Sequence, residues 1–196
     1  MGQTLEFFFD YGSPYSYLAN HRLTELSERT GVEVVHRPML LGGVFKATGN
    51  HSPAREPIEA KRSYNGLALR RSAEAYGAVF RGNKHFPINT LMLMRTAVAA
   101  QRQGVFEAYH RTVYPGFWVD GLDLGNEDVL AGVLTGAGVD AAKLAELRGR
   151  DEIKNELRST TEEAVARGVF GAPSFFLGDQ LFFGADHLFF VEQALA

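Results

Sequence analysis

The chain has 196 residues, of which 45% are hydrophobic and 22% are charged, and its formal net charge is -3 at pH 7. This length and composition favour one folded domain, or a small domain that carries an insertion. The charge gives no reason to expect nucleic acid or an anionic membrane as a partner, and no apolar stretch approaches the length of a membrane span. No signal peptide precedes the first predicted strand, so we expect a cytoplasmic protein.

The sequence contains no cysteine. This excludes disulfides, thiolate metal sites and a cysteine nucleophile. Thiol–disulfide exchange needs a protein sulfur, so the chain cannot perform that reaction by itself. A thiol that takes part in the chemistry must therefore arrive with a ligand. The six histidines follow no recognised metal-binding spacing, and we predict that the protein binds no metal.

The first predicted elements are a strand over residues 4–9 and a helix that follows it almost at once. Asp10-Tyr11-Gly12 breaks the strand. Ser13 can accept from the free N–H groups of the first helical turn, and Pro14 at the next position sacrifices no hydrogen bond. The hydroxyls of Ser13 and Ser16 thus lie where backbone donors and a positive helix end favour an anion, including a thiolate. An ordinary helix cap is the alternative interpretation.

Gly31 is expected to end this first helix as the glycine that follows its last turn. Residues 32–36 are predicted as a second strand, parallel to the first. Pro38 ends that strand. Residues 39–50 are then predicted as a glycine-bearing loop. Such a loop is either the rim of a site or a plain connector, and the sequence favours neither.

Residues 57–167 show helical patterns nearly throughout. We expect one helix over residues 91–103, after a break rich in helix-capping residues, and another from Val105 that ends at Pro115. After this helical segment come a proline-led strand, a Gly-Asp turn, a third strand over residues 180–183 and a last helix from Asp186.

This order of elements is the layout of a thioredoxin-like fold with an inserted helical domain. Five segments also carry a family resemblance, in order along the chain: Phe9–Ala19 (FDYGSPYSYLA), Thr48–Asn50 (TGN), Phe86–Leu91 (FPINTL), Gly168–Phe175 (GVFGAPSF) and Phe183–Asp186 (FGAD). The chain resembles the 2-hydroxychromene-2-carboxylate isomerases and kappa-class glutathione transferases, which share the DsbA-like thioredoxin fold. We therefore expect an α/β protein with a thioredoxin-like (DsbA-like) domain of residues 1–56 and 168–196, and an all-helical insertion domain of residues 57–167.

The resemblance implies a glutathione site at the far end of the chain. Pro173 is expected to follow a cis peptide bond, so that the backbone of Ala172 can pair with the cysteinyl unit of glutathione. Backbone N–H groups near Ala185 and Asp186 would hold the γ-glutamyl carboxylate, while the Asp186 side chain faces the ammonium group. A plain helix N-cap is the other interpretation of Asp186. Family members often have serine where Ala185 stands and arginine where His187 stands.

Further polar residues fall in the segment that lines the ligand cleft in the family. Asn50, Lys61 and Arg55 are candidate donors for a substrate carboxylate or for the glycyl end of glutathione. Solvated loop charges are the alternative for Arg55. Phe117 and Trp118 are either core residues or pocket wall.

The resemblance further implies a glutathione-dependent isomerase of 2-hydroxychromene-2-carboxylate. Ser13 would be the catalytic residue: it would hydrogen-bond the glutathione sulfur, with Pro14 and Tyr15 beside it, and lower the thiol pKa with the help of the helix end. We expect glutathione as cofactor, a small aromatic carboxylate as substrate and, by resemblance, a homodimer. The alternatives are a kappa-class glutathione transferase that conjugates electrophiles and a thioredoxin-like binding module without turnover.

Overall fold

The computed structural model describes residues 3–195, which contain a mixed sheet of four strands. The strands are Thr4–Phe9 (β1), Glu33–Pro38 (β2), Ser174–Leu177 (β3) and Gln180–Phe183 (β4). They lie in the order β2-β1-β3-β4. β1 pairs in parallel with β2 and antiparallel with β3, which is itself antiparallel to β4. The prediction of a parallel second strand and of a closing hairpin is confirmed.

Nine helices connect or follow these strands within residues 3–195. They are Pro14–Thr30 (α1), Leu41–Thr48 (α2), Glu59–Ala75 (α3), Leu91–Arg102 (α4), Phe106–Trp118 (α5), Glu127–Gly136 (α6), Ala141–Arg148 (α7), Asp151–Ala166 (α8) and Leu188–Leu195 (α9). Short 3-10 turns span Pro53–Arg55 and Ala185–His187. Within residues 3–195, no helix combines the length and the apolar character needed to cross a bilayer.

The core is rich in aromatic side chains because β1 is buried on both faces. Phe7, Phe8 and Phe9 are fully buried. Phe7 and Phe9 belong to a large apolar cluster that continues into α4 and α5, while Phe8 joins a smaller cluster with Met39 and Phe176 on the other face. The larger cluster joins the sheet to the helical segment, and the division of the chain at residues 57 and 167 stays a prediction.

The start and end of α1 follow the predicted pattern. Ser13 is the N-cap, and its Oγ accepts from the Ser16 N–H at 3.1 Å. Pro14 occupies the first turn without the loss of a hydrogen bond. Gly31 ends the helix with a left-handed φ of 71°. This helix therefore starts directly after the first strand, as the sequence indicates.

Residues 41–48 form α2, and the prediction of a loop over residues 39–50 is wrong. Two glycines lower the helical propensity of this segment. Tertiary hydrogen bonds compensate at its start: the Leu41 N–H donates to the Asp10 carboxylate at 2.8 Å, and the Leu40 N–H donates to the Thr161 hydroxyl at 2.9 Å. Both acceptors are remote in sequence, so local pattern cannot reveal them.

α5 continues through Pro115 to Trp118, whereas the sequence predicted an end at Pro115. A proline inside a helix removes one hydrogen bond. Beyond it, Phe117 and Trp118 are buried, and the Trp118 indole N–H donates to the Tyr11 carbonyl at 2.9 Å. The packing of these two aromatic residues outweighs the missing bond. Phe117 and Trp118 are core residues and do not line the cavity described below.

Candidate active site

A cavity of about 580 Å³ lies where the start of α1 meets the segments that flank the hairpin of β3 and β4. We call it the main cavity. Its wall includes Gly12–Tyr15, Gly171–Pro173, Gly184 and Asp186, together with residues of α2, α3 and the loop between them. Its volume is within the range of pockets that hold small organic ligands. The two ends of the chain therefore form one site.

Ser13 joins these two ends directly. Ser13 is only 3% exposed. Its Oγ donates to the carbonyl of Ala172, 159 positions later in the sequence, at 2.9 Å. The same oxygen accepts from the Ser16 N–H. Ser13 is therefore both a helix cap and a bridge. To stabilise an anion at the helix start, its single hydroxyl proton must turn away from the Ala172 carbonyl.

A backbone donor at the start of α1 is open. Pro14 has no N–H and the Ser16 N–H is capped by Ser13, but the Tyr15 N–H has no acceptor within residues 3–195. Unpaired N–H groups at a helix N-terminus attract anions. The Tyr15 N–H and the Ser13 hydroxyl are therefore the two donors that a thiolate could meet here.

Ser16 is placed differently from Ser13, although both serines begin the same helix. Its residue is fully buried, it does not line the main cavity, and its Oγ has no hydrogen-bond partner among the residues described. The hydroxyl of Ser16 therefore faces the protein interior. The sequence suggested that both hydroxyls share the anion-favouring position, and the structure places only Ser13 in the wall of the cavity.

Asp10 is a positioning residue, whereas the sequence pattern indicated only that it ends a strand. It is fully buried, and its carboxylate accepts from the Gly12 N–H at 2.8 Å, the Leu41 N–H at 2.8 Å and the Thr90 hydroxyl at 2.9 Å. Burial raises the pKa of the Asp10 carboxyl. These bonds tie the turn before Ser13 to the starts of α2 and α4. The sequence feature that could have indicated this role is an acidic residue between a buried strand and a Gly-Ser-Pro turn.

The segment before β3 contains the cis peptide bond that the resemblance implied, between Ala172 and Pro173. The Ala172 N–H has no acceptor within residues 3–195. Its carbonyl accepts from Ser13, and the neighbouring Phe170 carbonyl accepts from the Asn50 Nδ2 at 2.8 Å. Asn50 thus lies in the wall of the main cavity, where it fastens the segment after α2 to this segment. An extended ligand could pair with the Ala172 backbone as an edge strand would.

Asp186 also lines the main cavity, and the alternative interpretation of it as a helix N-cap does not hold. Gly184 occupies the cap position of the 3-10 turn with a φ of 104°, a conformation that favours glycine. The Asp186 carboxylate has no hydrogen-bond partner among the residues described, and the N–H groups of Ala185 and Asp186 have no acceptor there. Burial, and then the Asp186 charge, raise the pKa of the Tyr15 phenol. Ala185 itself is buried behind the wall.

Among residues 3–195, Arg62 is the only Lys or Arg whose side chain lines the main cavity. Lys61 and Arg55 lie outside its wall. The Arg62 Nη1 donates to the Glu56 carbonyl at 2.9 Å. Successive side chains on a helix point about 100° apart, so an error of one position selects another face. The wall of the main cavity therefore contains Arg62 of α3, whereas the predicted residue Lys61 lies outside it.

Comparisons with known proteins identify the family of the chain. The family model of the DSBA-like thioredoxin domain matches residues 4–196. A 2-hydroxychromene-2-carboxylate isomerase of Sphingobium xenophagum is 33% identical over 195 residues, which cover 100% of this chain and 99% of that protein. Glutathione S-transferase kappa 2 of Caenorhabditis elegans is 31% identical over 209 residues, which cover 99% and 92%.

A solved structure shows the same architecture. The structure of a 2-hydroxychromene-2-carboxylate isomerase superposes with a TM-score of 0.86 at 29% sequence identity, covering 98% of this chain and 94% of that one. The predicted α/β, thioredoxin-like (DsbA-like) fold is thereby confirmed.

Proposed function

Because the chain belongs to the DSBA-like thioredoxin domain family, in the group that contains the 2-hydroxychromene-2-carboxylate isomerases and the kappa-class glutathione transferases, we propose that it is a glutathione-dependent isomerase of 2-hydroxychromene-2-carboxylate. The observation that carries the proposal is the meeting of Ser13, Ala172 and Asp186 in one cavity. Each of them offers a group that glutathione needs, and Ser13 is remote in sequence from the other two, 159 positions before Ala172.

The unpaired groups of the main cavity fit the chemistry of glutathione. The free N–H of Ala172 suits the peptide backbone of a cysteinyl unit. The free N–H groups of Ala185 and Asp186 suit a carboxylate, and the unpaired Asp186 side chain suits an ammonium group close to it. A γ-glutamyl unit carries both charges. Ala185 would thus contribute through its backbone, which the absent serine hydroxyl does not alter.

When bound, glutathione supplies a thiolate that adds reversibly to the conjugated chain of the substrate, so that a double bond becomes single and can rotate. The chain's own residues lower the free energy of the anionic sulfur. Ser13 would turn its hydroxyl proton from the Ala172 carbonyl towards the ligand, and Tyr15 would donate its free N–H. Pro14 would pack beside them in the cavity wall. Donors that are fixed before reaction stabilise charge more effectively than water does.

The carboxylate of the substrate would be held by a cation and an amide in the same wall. Arg62 is placed to do so, and Asn50 keeps one amide proton beyond its bond to the Phe170 carbonyl. We take Arg62 as the candidate in place of Lys61, which lies outside the wall. A small aromatic carboxylate is therefore the substrate class that we propose.

The thiol requirement tests this proposal. Purified protein should interconvert 2-hydroxychromene-2-carboxylate and trans-o-hydroxybenzylidenepyruvate, followed by absorbance, only when glutathione is added. S-methylglutathione should compete with glutathione and give no turnover, because its sulfur cannot add. Turnover without any thiol would contradict the proposal, since the chain has no cysteine.

A kappa-class glutathione transferase is the second candidate, because relatives of that class match nearly the whole chain. Its product would be a stable conjugate rather than an isomer. In the same assay, an adduct that accumulates while the isomer does not form would favour the transferase. Binding of glutathione in calorimetric titration, with neither isomer nor conjugate formed, would instead favour a thioredoxin-like glutathione-binding module without turnover.

We also propose that the protein works in the cytoplasm as a homodimer. Glutathione keeps thiols reduced in that compartment, and a chain without cysteine needs no oxidising compartment.

The proposed dimer is supported by an apolar surface on α9. Phe189 and Phe190 on α9 are 55% and 50% exposed, and such apolar side chains are common at subunit contacts. Sedimentation equilibrium would measure the mass. A monomer at assay concentration would contradict the dimer.

A further inference from the structure

A second cavity, of about 690 Å³, lies between α2, α4 and α8. We call it the α8 cavity. Its wall includes Lys46 of α2, Arg95 of α4, and Lys154, Leu157, Arg158 and Val165 of α8. It shares α2 with the main cavity, but Leu41 and Phe45 face the main cavity while Gly43 and Lys46 face the α8 cavity. The two cavities therefore use different faces of one helix.

The wall of the α8 cavity is strongly cationic. It contains four Lys or Arg side chains and a single carboxylate, that of Glu162. Lys154 pairs with Asp151 at 2.9 Å, whereas Lys46, Arg95 and Arg158 form no ion pair within residues 3–195. The whole chain carries a net charge of -3, so this local excess is not a general property of its surface. Such an excess attracts an anion.

Arg95 identifies where an anionic group would bind. Its side chain is partly buried, its Nε is inaccessible to solvent and unpaired, and its guanidinium has no acceptor among the residues described. Buried arginine donors are normally satisfied, and a guanidinium has a planar fork of donors that matches a carboxylate. Lys46 and Arg158 are exposed, so they lie nearer the mouth. An incoming carboxylate would supply the acceptor that the protein does not.

Apart from Thr161, whose hydroxyl already bonds the Leu40 N–H and the Leu157 carbonyl, the remainder of the wall is apolar. Leu40, Leu91, Leu157 and Val165 line the α8 cavity, and Leu157 is 2% exposed. An inorganic anion would leave this surface uncovered, whereas an organic acid would bury it. We propose that the α8 cavity is a binding site for a carboxylic acid with an apolar body, with the carboxylate on Arg95 and the apolar body against Leu157 and Val165. This site is separate from the main cavity and does not depend on the function proposed for it.

The probe for this proposal is 2-naphthoate, with the uncharged 2-naphthamide as a matched control. In calorimetric titration of the full chain at low salt, 2-naphthoate should bind with a Kd below about 1 mM, and 2-naphthamide should bind at least about tenfold more weakly. Added salt should weaken the binding of 2-naphthoate, because ions screen the cations at the mouth. A parent protein that does not bind 2-naphthoate in this range would overturn the proposal.

Variants assign the binding to the α8 cavity. Arg95→Met should weaken 2-naphthoate about tenfold or more, since it removes a charged hydrogen-bond donor, and Arg158→Gln should weaken it less. Arg71→Gln changes the same charge at an exposed position of α3 outside both cavities, and should leave the affinity unchanged. If Arg95→Met does not fold, as judged by circular dichroism, Arg158→Gln still tests the proposal, because Arg158 is exposed and its substitution should not disturb folding.

Two results would overturn this assignment. One is that 2-naphthoate binds Arg158→Gln and any folded Arg95→Met with the affinity of the parent. The other is that the binding is lost in Arg62→Gln alone, which would place the acid in the main cavity. If sedimentation shows instead that Arg158→Glu dissociates a dimer, this face is an interface between two copies and the proposal also fails.

Discussion

The main cavity and the α8 cavity share α2 as a wall, yet they are built from different kinds of structure. The main cavity gathers the ends of strands and helices, and its free groups are mostly backbone donors. Its wall contains one cationic side chain, Arg62, and two carboxylates, Glu56 and Asp186, so its charges nearly balance. The α8 cavity is formed by the faces of three helices and is dominated by cations.

This difference indicates what each cavity can recognise. Backbone donors at fixed positions select a ligand by its shape and by the order of its polar groups. A group of cations over an apolar floor selects mainly by charge. Substitutions in the main cavity should therefore affect one step or one part of the ligand, whereas substitutions in the α8 cavity should affect any organic anion.

The largest effect is expected for Ser13→Ala. Loss of one fixed donor to a developing anion typically lowers a rate constant by about 100-fold or more, and we expect this loss in kcat at saturating glutathione. Ser16→Ala is the matched control, because Ser16 begins the same helix but does not line the main cavity. Steady-state kinetics of both variants would show whether the two serines differ. Equal rates in parent and Ser13→Ala would reduce Ser13 to a cap.

A smaller effect, on binding rather than rate, is expected for Asp186→Ala. Loss of a charge-assisted contact costs about 1.5–3 kcal/mol, which corresponds to a roughly 10- to 100-fold weaker affinity for glutathione. The rate at saturation should change little, because the ammonium group is remote from the sulfur. Calorimetry would measure the affinity, with Asp179→Ala in the β3–β4 turn as control. Unchanged affinity would remove Asp186 from the site.

Asp10→Asn should disturb the wall that both cavities share. An asparagine amide cannot accept on both sides, so one N–H, of Gly12 or of Leu41, would lose its partner at a cost of about 1–3 kcal/mol in unfolding free energy. Urea denaturation would measure this cost. Asp140→Asn is the matched control, because Asp140 caps α7 and asparagine caps a helix equally well. Equal losses in the two variants would show that Asp10 has no special role.

The pH dependence of this difference is also predicted. Burial raises the Asp10 pKa above the unfolded value, so the folded protein binds the proton more tightly. This contribution to stability is fully present below the unfolded pKa and is lost as the pH rises through the folded one. The advantage of the parent over Asp10→Asn should therefore shrink from acid towards neutral pH. A gap that widens over that range would contradict the assignment.

The smallest effect is expected for Ser16→Ala. Its hydroxyl is buried beside the Tyr114 hydroxyl without a hydrogen bond of normal geometry, so replacing it by a methyl group removes a desolvation cost and at most a weak contact with Tyr114. We expect the unfolding free energy to stay the same or to rise by about 1 kcal/mol. Denaturant curves of the variant and the parent would measure it. A clear loss of stability would mean that Ser16 has a partner.

The sequence was informative wherever local chemistry decides the structure. The strand before Asp10, the Ser13 cap and the Gly31 end follow from adjacent residues. The site residues near Ser13 and Ala172 were found because short segments carry a family resemblance. Such segments consist of turns and helix ends, which are the parts of the chain that form the main cavity.

The errors lie where distant contacts decide. α2 forms against its glycine content because Asp10 and Thr161 bind its start. α5 passes Pro115 because the aromatic residues beyond it are buried. The α8 cavity has no local signature, since its cations come from three helices that only the fold brings together. Only the fold shows which face of α3 meets the main cavity, and this decides that Arg62 lines it and Lys61 does not.

The pKa of the glutathione thiol in the complex tests the central claim most directly. Ultraviolet titration of the thiolate, with the protein in excess, would compare the parent with Ser13→Ala. If the start of α1 stabilises the sulfur, the thiol pKa should lie below that of free glutathione in the parent and should rise in Ser13→Ala, with Ser16→Ala like the parent. A thiol pKa in the parent equal to that of free glutathione would contradict the account.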